Sequence, residues 1–196
     1  MKLPLVLLSL VVLIATAISA QDKTLPYYEI PAYPEAYTAG AVAARVVDGL
    51  GFRYFWATEG LRSEDLSHKP SAEARTSLET ITHIYELTLV IVNSTTKTAN
   101  VRSDNPPMTF EEMRRATLEN IKAASDRLKA SSEKDLQEFD MVFKRGESTT
   151  EYPFWNELNG PIADAIWHVG QVVSFRRSSG NPFNSKAGVL TGKVRE

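Results

Sequence analysis

Between residues 35 and 182 the apolar positions recur at helical spacing in four runs. In the first, Tyr37, Ala41, Ala44, Val47, Phe52, Phe55 and Trp56 predict a helix from about Glu35 to about Gly60. Gly49 and Gly51 weaken its middle. The second, from about Ser71 to about Asn93, carries Leu78, Ile81, Ile84, Tyr85, Leu87, Thr88 and Ile91. The third opens on Thr109-Phe-Glu-Glu112, a capping-box pattern, and keeps Phe110, Met113, Thr117, Ile121, Ala124 and Leu128 in phase to about Lys129 or Ser132. Its other face is charged, so it is amphipathic. The fourth runs from about Trp155 to Ser178 and stops at Ser179-Gly180-Asn181-Pro182. In it Ile162, Ala165, Ile166, Trp167, Val169, Val172 and Val173 leave little polar surface, which predicts a largely buried helix.

The connections have their own patterns. Ser63–Pro70 reads as a loop, and Ser94–Pro107 as a long polar link. Phe139, Met141 and Phe143 alternate, Gly146 turns the chain and Thr149 to Tyr152 favour strand, so a small hairpin or extended excursion precedes the last helix. The fold class expected is all-α, a four-helix bundle over residues 35–182 whose neighbours are not all simple hairpins.

The ends read differently. Lys2, the apolar run Leu3–Ile18 and the small residues of Ala17-Ile-Ser-Ala20 have the form of a secretory signal peptide covering residues 1–20. The run is short of the roughly 20 apolar residues that a membrane span needs. Export to the periplasm is therefore expected, with no membrane association after cleavage. Residues 21–34, rich in Pro and Tyr, predict an extended lead-in, and residues 183–196 a polar, loosely packed tail. With 196 residues, 43% hydrophobic and 23% charged, the chain suits one globular domain. A net charge of −2 with both signs interspersed argues against a nucleic-acid footprint. The chain has no cysteine, which excludes disulfides, thiolate ligands, a cysteine nucleophile and lipid attachment through a cleavage-site cysteine. Any metal site must come from His, Asp and Glu.

Only three histidines are present, and two of them, His83 and His168, fall mid-helix. Asp164 lies four residues before His168, on the same helix face, and Gln171 continues that stripe. A buried carboxylate and imidazole are costly unless paired or metal-bound. His83, Asp164 and His168 would supply three N/O ligands from two facing helices and leave coordination positions open. Residue types and spacing leave two readings standing: a metal site, or a metal-free Asp164–His168 pair with His83 held by a hydroxyl. Gln171 fits either a hydrogen bond that orients a ligand or one across the core. Glu86, three residues after His83, is a substitute ligand but better suits a solvated face. His68 reads as solvent-exposed in its polar loop. Arg176 and Arg177 read as favourable last-turn cations rather than a substrate clamp. Trp56, Trp155 and Trp167 read as core or interface aromatics. Apolar surface on the first and last helices in excess of one core's need points to a homodimer.

Three features together resemble the DinB-like superfamily of four-helix-bundle proteins, which includes metal-dependent thiol transferases. They are the lone histidine in Thr82-His83-Ile84, the long gap after it, and the last-helix sequence Asp164-Ala-Ile-Trp-His168-Val-Gly170-Gln171. His168, Gly170 and Gln171 match the family's His-x-x-x-His…Gly-Gln pattern, and Asp164 stands where the first histidine belongs. Tyr152, Phe154 and Trp155 match the aromatic approach to that helix. The resemblance spans about Glu35 to Asn181. It implies a divalent metal, zinc or nickel first, on His83, Asp164 and His168. The carboxylate shifts the balance toward zinc, iron or manganese relative to three imidazoles. The function expected is that of an exported metal-dependent hydrolase or transferase acting on a small molecule. The alternatives are a non-catalytic metal- or ligand-binding bundle with a stress-related or structural role, and a metal-free bundle.

Overall fold

The computed structural model describes residues 24–102 and 106–196, so the expected signal segment lies outside the described residues. The chain is mainly helical with two small sheets. In order come α1 (Ala39–Thr58), α2 (Ser63–Ser67), α3 (Ser77–Thr95), β1 (Asn100–Val101), α4 (Phe110–Ala130), α5 (Glu133–Leu136), β2 (Met141–Arg145) and β3 (Ser148–Tyr152). They are followed by α6 (Phe154–Glu157), a π-helical turn (Leu158–Ile162), α7 (Ala163–Ser178), β4 (Ala187–Gly188) and β5 (Lys193–Val194). The four long helices pack in a ring: α1 lies on α4 and α7, and α3 lies on the same two.

Local chemistry sets the helix starts. Thr76 and Thr109 each accept from the backbone N–H three residues on, while Glu79 and Glu112 reach back to the cap N–H. Thr38 caps α1 through the Ala41 N–H. The region expected to be a loop at Ser63–Pro70 contains α2, because Asp65 accepts from the Arg62 N–H and its guanidinium. The expected hairpin is β2–β3, antiparallel with Met141 opposite Tyr152, and β1 joins its other edge in parallel. Gly146 takes φ +59 in the turn, a conformation open to glycine.

Three expectations need correction. The lead-in is not merely extended: Leu25, Tyr27 and Ile30 are buried, and Tyr28 packs on Phe55 and Trp56. Its partner is the C-terminal tail, which is not loose. There β4 and β5 pair, Ala187 is buried, and the Ile30 N–H donates to the Gly192 carbonyl at 2.9 Å. The last helix is neither continuous nor buried all round. Pro161 has no N–H to continue the ladder, and Gly160 departs from helical angles at φ −94 and ψ −108, so the chain makes a π turn before α7. Ala165, Val169, Val172 and Arg176 form the buried stripe of α7, while Trp167 is 71% exposed.

With lead-in and tail in place, α1 is covered on nearly every side. The Tyr27 ring sits on Gly51, where an added Cβ would come within 2.5 Å of it. Thus Gly51, read as a weak point of the helix, is the place of closest approach. Buried Asp48 on α1 accepts from Tyr27 Oη at 3.0 Å and Ser125 Oγ at 2.5 Å and pairs with Lys129 Nζ at 2.8 Å. Among the described residues no helix is long and apolar enough to cross a membrane. Tyr37, Val42, Val46 and Trp155 present apolar surface to solvent beside α1.

Candidate metal centre

The α3–α7 contact brings His83, Asp164 and His168 together. One ligand atom from each lies within 4.8 Å of the other two, so this group could hold a metal ion. Asp164 stands between the imidazoles: Oδ2 is 3.4 Å from His83 Nε2, and Oδ1 is 3.4 Å from His168 Nε2. The rings meet edge to face, with centroids 4.7 Å apart and planes at 83°. Gln171 Oε1 is 2.9 Å from His168 Nδ1. An amide oxygen only accepts, so Gln171 Oε1 pairs with a hydrogen on His168 Nδ1 and leaves Nε2 as the ring nitrogen facing Asp164. Nε2 and Asp164 Oδ1 face each other across 3.4 Å, a separation that either a shared metal ion or a proton on Nε2 would satisfy.

The group is less buried than its sequence context implies. Side-chain exposure is 28% for His83, 14% for His168 and 35% for Asp164. The physical reason is the stripe they occupy: Asp164, His168, Gln171 and Phe175 flank the buried stripe of α7 instead of forming it. His83 and His168 open onto a cleft of about 540 Å³ that is also lined by Pro70, Ala74, Arg75, Gln171 and Phe175. Trp167 stacks near the His168 ring, with centroids 6.3 Å apart and planes at 14°.

Other candidates sort clearly. Glu86 is 65% exposed, and its carboxylate is 3.7 Å from His83 Nδ1, on the ring edge away from Asp164. His68 is half-buried instead of solvent-exposed. Its Nε2 is shut off from solvent with no hydrogen-bond partner among the described residues, and its ring faces Phe175 at 6.2 Å. Trp56 is core, whereas Trp155 and Trp167 are exposed. Arg176 is no substrate clamp. It is buried and donates to the carbonyls of Trp56, Ala57 and Glu59, the unsatisfied end of α1. Asp65 ties down the same corner. Burial by itself would raise its carboxyl, but hydrogen bonds from Arg62, Ser179 and Asn181 outweigh that and hold it well below the usual range.

Three residues of interest are not marked by the sequence pattern. Arg75 sits just before the Thr76 cap, where no local pattern marks it as part of the cleft. Phe175 was findable, since it lies seven residues beyond His168 on the same helix face. Glu157, just before the π turn, is fully buried, and neither carboxylate oxygen has a hydrogen-bond partner among the described residues. Burial pushes its carboxyl up to about 8, with the nearby Ser94 hydroxyl offsetting only part of the effect. Comparison with known proteins finds no matching family model, no matching curated protein and no matching solved structure.

Proposed function

We propose that this chain is an exported four-helix bundle of the DinB-like type that binds a divalent metal through His83, Asp164 and His168. Zinc or nickel is the first expectation, with iron or manganese next, and the activity proposed is hydrolase or transferase chemistry on a small molecule. The observation that carries the reading is the convergence of one ligand-type atom each from His83, Asp164 and His168, with Gln171 at 2.9 Å on the far nitrogen of the His168 ring. The donor set fits such an ion. Metal–ligand bonds of about 2.0–2.2 Å at tetrahedral angles put donor atoms roughly 3.3–3.6 Å apart. Each imidazole lies 3.4 Å from one of the two Asp164 oxygens, and with one atom per residue the set spans no more than 4.8 Å, so a small contraction would close it on an ion. Imidazole nitrogen with carboxylate oxygen suits zinc, nickel, iron and manganese better than it suits calcium or magnesium.

A metal held there would supply a Lewis acid at the floor of the cleft. The remaining roles belong to the chain. Gln171 keeps His168 in the ligating tautomer, and Asp164 holds the two rings in register from opposite sides. Phe175 and Pro70 narrow the approach. Glu86, 3.7 Å from His83 and solvated, is the candidate proton acceptor outside the ligand set. The ring of long helices supports the bundle, and the exposed apolar side chains beside α1 support the proposed homodimer.

A second reading has its own support: 3.4 Å is also an ion-pair distance, so a protonated His168 would satisfy Asp164 without metal. Nitrogen-15 NMR of the imidazoles separates the two. On the metal reading, zinc shifts Nε2 of both His83 and His168 at neutral pH and raises the melting temperature. A His168 ring protonated on both nitrogens and unmoved by zinc would leave the ion pair as the account.

A further inference from the structure

The cleft above the three candidate ligands has one cationic side chain, Arg75, and no acidic residue on its lining. Arg75 is exposed and makes no hydrogen bond or ion pair among the described residues. Glu79, four residues along, acts on it through space. That carboxylate is already held by the Thr76 N–H at 2.7 Å and the Thr76 hydroxyl at 3.1 Å as part of the α3 cap. Glu86 lies on the other side of the His83 ring. Arg75 feels the Glu79 charge but makes no hydrogen bond to it, and it lines the cleft together with the apolar Phe175 and Pro70. At about 540 Å³ the space is of a size that suits a small molecule.

Sign of charge points the same way. Without a metal, the Asp164 carboxylate behind the imidazoles opposes the charge of Arg75. A divalent ion on His83, Asp164 and His168 would reverse the sign at the floor, so both ends of the cleft would attract anions. We infer that the cleft takes a small anionic substrate whose acidic group, carboxylate or phosphate, pairs with Arg75 while a second oxygen donor reaches the coordination positions left open by His83, Asp164 and His168. The inference rests on the metal reading above and adds a substrate class to it. Arg75 is then a binding and specificity residue. Its planar fork matches both oxyacids, and metal and anion should bind cooperatively.

The test is calorimetric titration of the full chain, with and without zinc, using succinate and 3-phosphonopropionate as the carboxylate and phosphate-like arms and succinamate as the singly charged control. The expected result is binding of one or both dianions to the zinc form, much weaker binding without zinc, and weaker binding of succinamate. Arg75→Gln should lose about tenfold in dianion affinity with zinc affinity unchanged, and Arg75→Lys should recover part of that loss because charge survives but the fork does not. Zinc uptake with dianion affinity indifferent to Arg75→Gln would overturn the inference and leave the metal site standing. Failure of the wild type to take up zinc would overturn the metal reading and this inference with it. Circular dichroism of each variant confirms that the helices are intact.

Discussion

Replacing Glu157 by glutamine removes the one fully buried carboxyl whose oxygens have no partner among the described residues. The folded-state value of about 8 stands against an ordinary 4.5. Between those two pH values the folded protein holds a proton that the unfolded chain has released, so stability falls as pH rises through the window. It is fully present below about 4.5, and the loss levels off above about 8. At roughly 1.4 kcal/mol per pH unit, Glu157 costs the wild type about 3 kcal/mol at pH 7 and on the order of 5 kcal/mol at the alkaline limit. Glutamine has nearly the same shape and no charge to bury. Glu157→Gln should therefore match the wild type near pH 4.5 and exceed it by about 3 kcal/mol at pH 7, less any difference in unpaired-amide cost. Urea denaturation of both proteins at a series of pH values from 4.5 to 8.5 reads this directly. Parallel stability–pH curves would instead mean that Glu157 is ionised and satisfied in the folded protein.

Other substitutions test the packing and the site. Gly51→Ala forces a Cβ to within 2.5 Å of the Tyr27 ring and should destabilise by about 1–3 kcal/mol. Gly49→Ala meets only the flexible end of Arg53 at 3.1 Å and should be neutral or gain up to about 1 kcal/mol, so urea midpoints of the two should move apart. Arg176→Met keeps an apolar stem but strips the carbonyls of Trp56, Ala57 and Glu59 of their donor, and thermal unfolding should show a loss of about 3 kcal/mol or more. Gln171→Leu frees His168 Nδ1 and should weaken zinc binding by about 10–100-fold in a chelator competition, with the fold unchanged.

How far the sequence could be read depended on whether a residue's environment is set locally. The α4 helix was legible from end to end because Thr109, Glu112 and one apolar face define it without help from elsewhere. The β2–β3 hairpin was legible from its alternation and Gly146. Lead-in and tail were not, because each is too short for a period and becomes buried only by meeting the other, as Ile30 does at Gly192. The last helix misled in a specific way. Apolar residues on all sides of α7 hid which stripe faces inward, so Trp167 looked buried, and the Gly160-Pro161 break was read through. The three site residues were legible because histidines are scarce and Asp164 and His168 share a face. Arg75 reaches the cleft only through the fold of the α2–α3 connection, and Glu157 has the sequence context of an ordinary surface glutamate.

Metal stoichiometry decides whether His83, Asp164 and His168 act as a ligand set. Native mass spectrometry of the wild type, His83→Ala and His168→Ala after equilibration with zinc or nickel should show one metal per chain in the wild type and none in either variant, because each loses a ligand from a set that has only three. Wild-type protein that stays metal-free after equilibration, or variants that keep the metal, would contradict the account and leave Asp164 as the partner of protonated histidine.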